Sequence, residues 1–159
     1  MIDTYTSEGN YLPITIVSSE AQSIHSNAGG QKPEKAYDDN VNTIYAPKDG
    51  SSFSAENWVK FNLGEVYSIT KIVVINRIDC CTHLLSNTEV NVVNTGISQT
   101  SLCGVIDVKS NSQTVEAQTY KFFCNLVGDQ VMMTDRDVTA TYTLYFAEID
   151  VFYSPSSKY

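Results

Sequence analysis

Charged and sulfur-bearing side chains lie directly after the most apolar stretch of the chain. Residues 72–75 are four consecutive β-branched residues, a pattern that predicts a central strand buried on both faces. Arg77 and Asp79 follow this strand, and Cys80 and Cys81 come next. Because a buried strand is a rigid support, side chains placed where it leaves the core are held in position and can form a binding site.

A disulfide between the neighbouring Cys80 and Cys81 would have unusual geometry. Their Cα atoms lie about 3.8 Å apart across a trans peptide bond, or about 2.9 Å across a cis bond, whereas ordinary disulfides join Cα atoms about 4.4–6.8 Å apart. The closed ring would form a rigid, mostly apolar plate beside the Arg77 guanidinium. Such a plate next to N–H donors would suit a sugar, which has C–H faces and hydroxyls. The local sequence by itself favours the simpler alternative, in which both thiols are free or each pairs elsewhere.

Composition narrows the class of protein. The 159 residues are enough for one domain with a core, and 42% hydrophobic residues argue against disorder. The net charge of −8 and the scattered basic residues argue against a nucleic-acid partner. No run approaches the roughly 18 apolar residues of a membrane span. Four cysteines fit two disulfides and an extracellular, oxidising compartment, although the first ten residues do not resemble a signal peptide.

Many short segments with alternating apolar and polar residues, joined by long polar loops, predict an all-β antiparallel sandwich. We predict a flexible arm over residues 1–10, one domain over 11–153 and a polar tail over 154–159. Gly64 and Glu65 are predicted to form a turn between two strands. The predicted strands are 12–18, 58–63, 68–76, 89–93, 105–108, 118–124, 131–133, 141–146 and 148–152.

Several sequence motifs together resemble the F-type lectin (fucolectin) family, which belongs to the discoidin-like β-sandwiches. They are AYDDN at 36–40, WVKFNLGEVYSITKIVVINRIDCC at 58–81, Cys103, Cys124, and AEIDVFY at 147–153. The resemblance runs from about residue 22 to 152. It implies an eight-stranded jelly roll of the galactose-binding-domain type, with long loops at one end. It also implies a structural calcium ion and a shallow pocket for a terminal α-L-fucose.

The resemblance assigns roles to individual residues. It implies that Arg77 donates hydrogen bonds to the sugar, that Asp79 orients basic neighbours, and that Tyr45 lies beside the sugar's methyl group. It also implies two disulfides, Cys80–Cys81 packed on the sugar ring and Cys103–Cys124 as a structural bridge.

Two polar sugar contacts of the family are missing here. The loop over residues 49–55 offers Ser52 in place of a histidine, and Leu84 stands where the family has a second basic residue. Each hydrogen bond to a charged donor contributes roughly 1.5–3 kcal/mol, so we expect a weakened or altered site. Asp79 is left with Arg77 as its partner, and pairing would mask the guanidinium. His83 is a substitute donor, although a solvent-exposed loop residue is the simpler interpretation.

The calcium site implied by the resemblance is built from oxygen donors on three segments. Calcium takes six to eight hard oxygen ligands. The alternative is a plain turn over residues 38–40, stabilised by its own side chains. The implied ligands are Asp38, Asn40, Asp49, Glu148 and the backbone carbonyls of Lys35 and Ala147.

We predict a glycan-binding module for fucosylated or related glycans. The alternative is a cell-adhesion or protein-interaction module that has kept the sandwich without the sugar site. We do not predict an enzyme, because the sequence shows no nucleophile–base pair, no paired catalytic acids and no set of catalytic zinc ligands. If Cys80 and Cys81 were reduced, they could bind a soft metal together with His83. The net charge disfavours membrane insertion. Assembly into a homo-oligomer or a larger multidomain protein would increase avidity.

Overall fold

The computed structural model describes residues 11–22, 32–47, 57–108, 118–136 and 144–155. This part of the chain forms seven antiparallel strands and three short 3₁₀ turns. No helix in these ranges has the length and apolar character needed to cross a membrane. The strands are β1 (Leu12–Ile14), β2 (Ser18–Ala21), β3 (Trp58–Ile75), β4 (Thr88–Asn94), β5 (Gln99–Ile106), β6 (Thr119–Asp135) and β7 (Glu148–Tyr153). The 3₁₀ turns are Pro33–Tyr37, Thr82–Leu85 and Thr95–Ile97.

The long strands β3 and β6 each take part in two layers. The first part of β3 pairs with β2 and with the end of β6, which continues to β4 and β5. The second part of β3 pairs with β7 and with the start of β6, and β7 pairs with β1. The ladder between β3 and β6 is interrupted between Asn62 and Tyr67, where β3 passes from one layer to the other. The predicted all-β antiparallel sandwich is therefore confirmed.

Several predicted strand boundaries are wrong. Gly64, with a φ of 87°, does not begin a turn but lies at the interruption inside β3, which joins the predicted segments 58–63 and 68–76. In the same way, β6 joins the predicted segments 118–124 and 131–133. Conversely, the predicted strand over 12–18 is split between β1 and β2. The cause is that a local alternation pattern cannot distinguish a bulge inside a strand from a loop between strands.

The core lies between the two layers and contains inward-facing side chains of both halves of β3, among them Phe61 and Ile72, each 0% exposed. The Cys103–Cys124 disulfide connects β5 to β6 across the layers. A Cβ atom at Gly104 would lie 2.2 Å from the Phe122 ring, so this close approach of β5 to β6 requires glycine.

The last residue of β3, Ile75, pairs with Glu148 at the start of β7 and with Thr119 at the start of β6. We call this end of the sandwich the loop end. Both the charged pair after β3 and the acidic residue that opens β7 are therefore brought to the same end, although 71 positions separate Arg77 from Glu148 in the chain.

Candidate functional site

The neighbouring cysteines at the loop end are joined to each other. Cys80 and Cys81 form a disulfide across a Cα–Cα distance of 3.8 Å, and no cysteine of the chain is free. Cys80 is exposed, and Cys81 adopts a left-handed conformation with a φ of 63° before the turn Thr82–Leu85. Both disulfides implied by the resemblance are thus confirmed, and the free-thiol alternative is wrong.

Arg77 and Asp79 form a two-point ion pair beside this disulfide. The Nε and Nη2 atoms of Arg77 donate to the two carboxylate oxygens of Asp79 over 2.8 and 2.9 Å. The Arg77 side chain is only 13% exposed, whereas that of Asp79 is 64% exposed. The hydrogen bonds from Arg77 lower the pKa of Asp79 to about 2, so the pair is charged at physiological pH. We call Arg77, Asp79, Cys80 and Cys81 the rim site.

Asn76 holds the backbone of the rim site, a role that the sequence analysis missed. Its side chain is 0% exposed, and its Nδ2 donates to the Thr82 carbonyl over 3.0 Å. Its Oδ1 accepts from the backbone N–H of Arg77 over 2.8 Å. One buried amide therefore connects both ends of the loop that carries the charged pair and the disulfide. The sequence does contain a feature that could have indicated this role: Asn76 is a polar residue directly after a buried apolar strand.

Replacing Asn76 by alanine should destabilise the domain by about 1–3 kcal/mol, because polar backbone groups would lose their buried partner. Urea unfolding followed by tryptophan fluorescence measures the change. Asn125→Ala, at an exposed position of β6, is the matched control and should change stability by less than about 0.5 kcal/mol. Equal effects of the two variants would show that Asn76 does not support the rim.

Tyr45 cannot contact a ligand, and the prediction that it lies beside a sugar is wrong. Its side chain is 0% exposed, and its ring packs on Phe146 with a centroid distance of 5.7 Å. An isolated bridge between these two residues draws their segments together into the core. The aromatic ring that lies near the rim is instead that of Tyr145, whose centroid is 5.9 Å from Cζ of Arg77.

The other predicted sugar-site residues differ in their placement. His83 is exposed in the turn that follows the disulfide. Ser52 lies outside the described residues, as does the predicted calcium ligand Asp49. A cavity of about 220 Å³ is lined by residues 13–16, Tyr37, Asp39 and residues 149–151, and no rim residue lines it.

Predicted calcium ligands from distant parts of the chain meet at the loop end. The backbone N–H of Asn40 donates to Oδ1 of Asp38 over 3.0 Å and to Oε1 of Glu148 over 3.1 Å. Thr43, which the sequence analysis did not select, donates to Oδ2 of Asp38 over 2.6 Å. The Lys35 carbonyl faces the same hydroxyl at 3.5 Å. The backbone N–H of Ala147 donates to the Ile75 carbonyl over 2.9 Å, which fixes the start of β7.

Glu148 lies among other acids and is strongly perturbed. It is 3% exposed, and burial together with its hydrogen bond to Asp38 raises the pKa of Glu148 to about 8. Oxygens of Asp39, Glu148 and Asp150 lie within 4.8 Å of one another. Burial and the nearby Asp39 also raise the pKa of Asp150. We call Asp38, Asp39, Glu148 and Asp150 the acid cluster.

The acid cluster suits a hard divalent cation in the chemistry of its donors. Calcium prefers carboxylate and carbonyl oxygens, and a cation would favour the charged form of a carboxyl that burial disfavours. Asp39 and Asp150 were not among the predicted ligands, although both belong to the cluster. Asp150 follows Glu148 by two positions on a strand, and this spacing places both side chains on one face.

The fold and the sequence both have known relatives. A sequence model of one protein family, the F5/8 type C family described as NedA-like, galactose-binding domain, matches residues 35–133 of this chain. This chain belongs to that family. It is a discoidin-like, lectin-type domain, as the sequence analysis predicted. It is also 28% identical over 105 residues to the fucolectin of Anguilla anguilla, a match that covers 64% of this chain and 62% of that protein.

Solved structures share the sandwich of this galactose-binding-type domain. The family 32 carbohydrate-binding module of Clostridium perfringens NanJ, solved with galactose, superposes with a TM-score of 0.67 at 17% identity, over 89% of this chain and 99% of that one. A Streptococcus pneumoniae fucose-binding module superposes with a TM-score of 0.66 at 19% identity, over 87% and 93% of the two chains. At these identities the likeness shows the fold alone.

Proposed function

We propose that this domain binds glycans through the rim site. The observation that carries the proposal is the closed Cys80–Cys81 disulfide, whose exposed Cys80 directly follows Asp79 of the charged pair. The family membership supports it, as do the ligands of two proteins with the same fold: galactose for the Clostridium module and fucose for the Streptococcus module. The match covers only 62% of the Anguilla anguilla fucolectin. We therefore propose, rather than conclude, that the two proteins share a sugar-binding activity.

We propose further that affinity for a single fucose is weak. The two Arg77 donors bonded to Asp79 would have to exchange that partner for sugar hydroxyls. The family's histidine and second basic residue are also absent, and each hydrogen bond to a charged donor contributes roughly 1.5–3 kcal/mol. A larger glycan, fucosylated or related, compensates with additional contacts around the disulfide, where His83 is exposed.

Calcium, when bound, would neutralise the acid cluster and tie the start of β7 to the segment over residues 35–43. The proposed ligands are Asp38, Asn40, Glu148 and the carbonyls of Lys35 and Ala147, with Asp39 and Asp150 as additional donors. The convergence of Asp39, Glu148 and Asp150 supports this proposal. Its role would be structural, because it fixes loops at the end of the sandwich that carries the rim site.

A glycan array with the wild-type domain and the Cys80→Ser/Cys81→Ser variant tests the rim site. The wild type should bind a subset of glycans, and the double variant should lose at least about tenfold in affinity, because the sugar loses its rigid apolar plate. Asn125→Ala should bind like the wild type. Equal binding by the double variant would refute the rim site, and silence of the wild type on a dense array would refute glycan binding.

A second candidate function is an adhesion module that binds protein rather than sugar. The Arg77–Asp79 ion pair favours it, because the guanidinium already has a two-point partner. If the domain is an adhesion module, it should bind no glycan on the array and should still be folded and stabilised by calcium. Both functions fit an extracellular location, to which the two disulfides are suited. In both, the domain is a non-catalytic part of a homo-oligomer or a larger multidomain protein.

A further inference from the structure

The outer face of the layer β1-β7-β3-β6 carries a row of side chains that continues across all four strands. The strand registers place Pro13 opposite Phe152, Phe152 opposite Lys71, and Lys71 opposite Phe123. Directly opposed residues in antiparallel strands point to the same side of the sheet. With strands about 4.8 Å apart, the row spans about 14 Å.

Aromatic rings surround one ammonium group at the centre of this row. Nζ of Lys71 lies 4.9 Å from the Phe152 ring, 5.1 Å from the Tyr11 ring and 5.9 Å from the Phe123 ring. The Tyr11 and Phe123 rings contact each other with a centroid distance of 6.0 Å. We call Tyr11, Lys71, Phe123 and Phe152 the outer aromatic row.

The outer aromatic row is accessible and carries positive charge. Phe123 is 62% exposed, far more than a ring that serves only packing. Among the described residues, no carboxylate forms an ion pair with Lys71. Lys121 lies on the same face, opposite Val73, next to the row. Asp150 lies opposite Val73 on the other side, so a carboxylate of the acid cluster also faces this surface beside the two lysines.

We propose that the outer aromatic row is a second saccharide-binding surface, separate from the rim site, that takes an acidic polysaccharide. A uronic acid residue has a carboxylate that can accept from the Lys71 ammonium, and C–H faces that can pack on the ring of Phe123. An extended chain fits a row whose two end residues, Pro13 and Phe123, are both exposed.

Binding of polygalacturonate, with a neutral galactan as the uncharged control, tests the proposal by affinity electrophoresis and titration calorimetry. The wild type should bind polygalacturonate more tightly than galactan, and the difference should shrink at high salt. Lys71→Gln and Phe123→Ser should each weaken polygalacturonate binding at least about tenfold. Melting temperatures of both variants should stay within a few degrees of the wild type, because Phe123 is largely exposed.

The chain offers matched controls for both substitutions. Lys60 lies over a single ring, 4.8 Å from that of Trp58, so Lys60→Gln removes a similar cation from another place. Val127 is an exposed apolar residue on the same face of β6, 40% exposed, so Val127→Ser is the counterpart of Phe123→Ser. Both control variants should bind like the wild type.

Three results would overturn the proposal. The first is binding that Phe123→Ser leaves unchanged, and the second is equal binding of galactan and polygalacturonate. The third is a wild-type oligomer in sedimentation that Phe123→Ser dissociates, which would identify the face as a self-association interface. None of these outcomes depends on the glycan array, so failure here and failure of the rim site remain distinguishable.

Discussion

Replacing Cys103 and Cys124 together by serine should lower the free energy of unfolding by about 3 kcal/mol. The disulfide closes a loop between residues 21 positions apart. In the chain-entropy model, removing such a constraint increases the entropy of the unfolded chain by an amount that corresponds to roughly 3 kcal/mol. For a domain of this size, we expect a fall in melting temperature of about 6–12 °C. Urea unfolding at neutral pH measures the free energy directly.

The Cys80→Ser/Cys81→Ser variant is the natural control for this experiment. A bridge between neighbouring residues closes no chain segment, so its removal should change stability by less than about 1 kcal/mol while it abolishes glycan binding at the rim. The Cys103/Cys124 variant should therefore lose stability, whereas the Cys80/Cys81 variant should lose glycan binding. A larger loss of stability from the neighbouring pair would show that the rim disulfide supports the fold rather than a ligand.

Glu148→Gln should remove most of the stabilisation that calcium gives the domain. Calcium at one hundred times its dissociation constant stabilises a folded protein by about 2.7 kcal/mol. For this domain we expect that gain to raise the melting temperature of the wild type by about 5–11 °C. The variant lacks the buried carboxylate that joins the segment over residues 38–40 to β7. We expect its shift to fall to a small fraction of the wild-type value.

The same substitution should also change the pH dependence of stability in EDTA. The pKa of Glu148 is raised to about 8 from an ordinary value of 4.5, so the folded state holds a proton that the unfolded state has released. Stability of the metal-free wild type should therefore fall as pH rises from about 4.5 through 8. Glutamine has no proton to lose, so the variant should show a flatter profile and should match or exceed the wild type at pH 8 without calcium.

Thermal unfolding at several pH values, with calcium and with EDTA, measures both effects. In the wild type the calcium shift should increase with pH, because the metal binds the deprotonated ligand. Glu34→Gln removes an acid from an exposed position of the turn Pro33–Tyr37 and should keep the wild-type response. A calcium shift that survives in Glu148→Gln would contradict the acid cluster as the metal site.

The sequence was sufficient to predict the chemistry of the rim, because that chemistry is local. Arg77, Asp79, Cys80 and Cys81 lie within five residues, so their proximity follows from chain connectivity. The β-branched run before them predicts the buried strand that carries them. The class of fold was also predictable, since alternation of apolar and polar residues is a property of each segment by itself.

Only the tertiary structure decided which distant side chains meet and which face solvent. Tyr45 is buried because a bridge joins it to Phe146, about a hundred residues later in the chain. Asp39 joins Glu148 and Asp150 because the backbone N–H of the next residue, Asn40, donates to Glu148 at the start of β7. The outer aromatic row depends on the registers of four strands, and a shift of one residue in any strand would turn its side chain to the other face. Such pairings depend on the free energy of the whole sheet, which no single segment of the sequence contains.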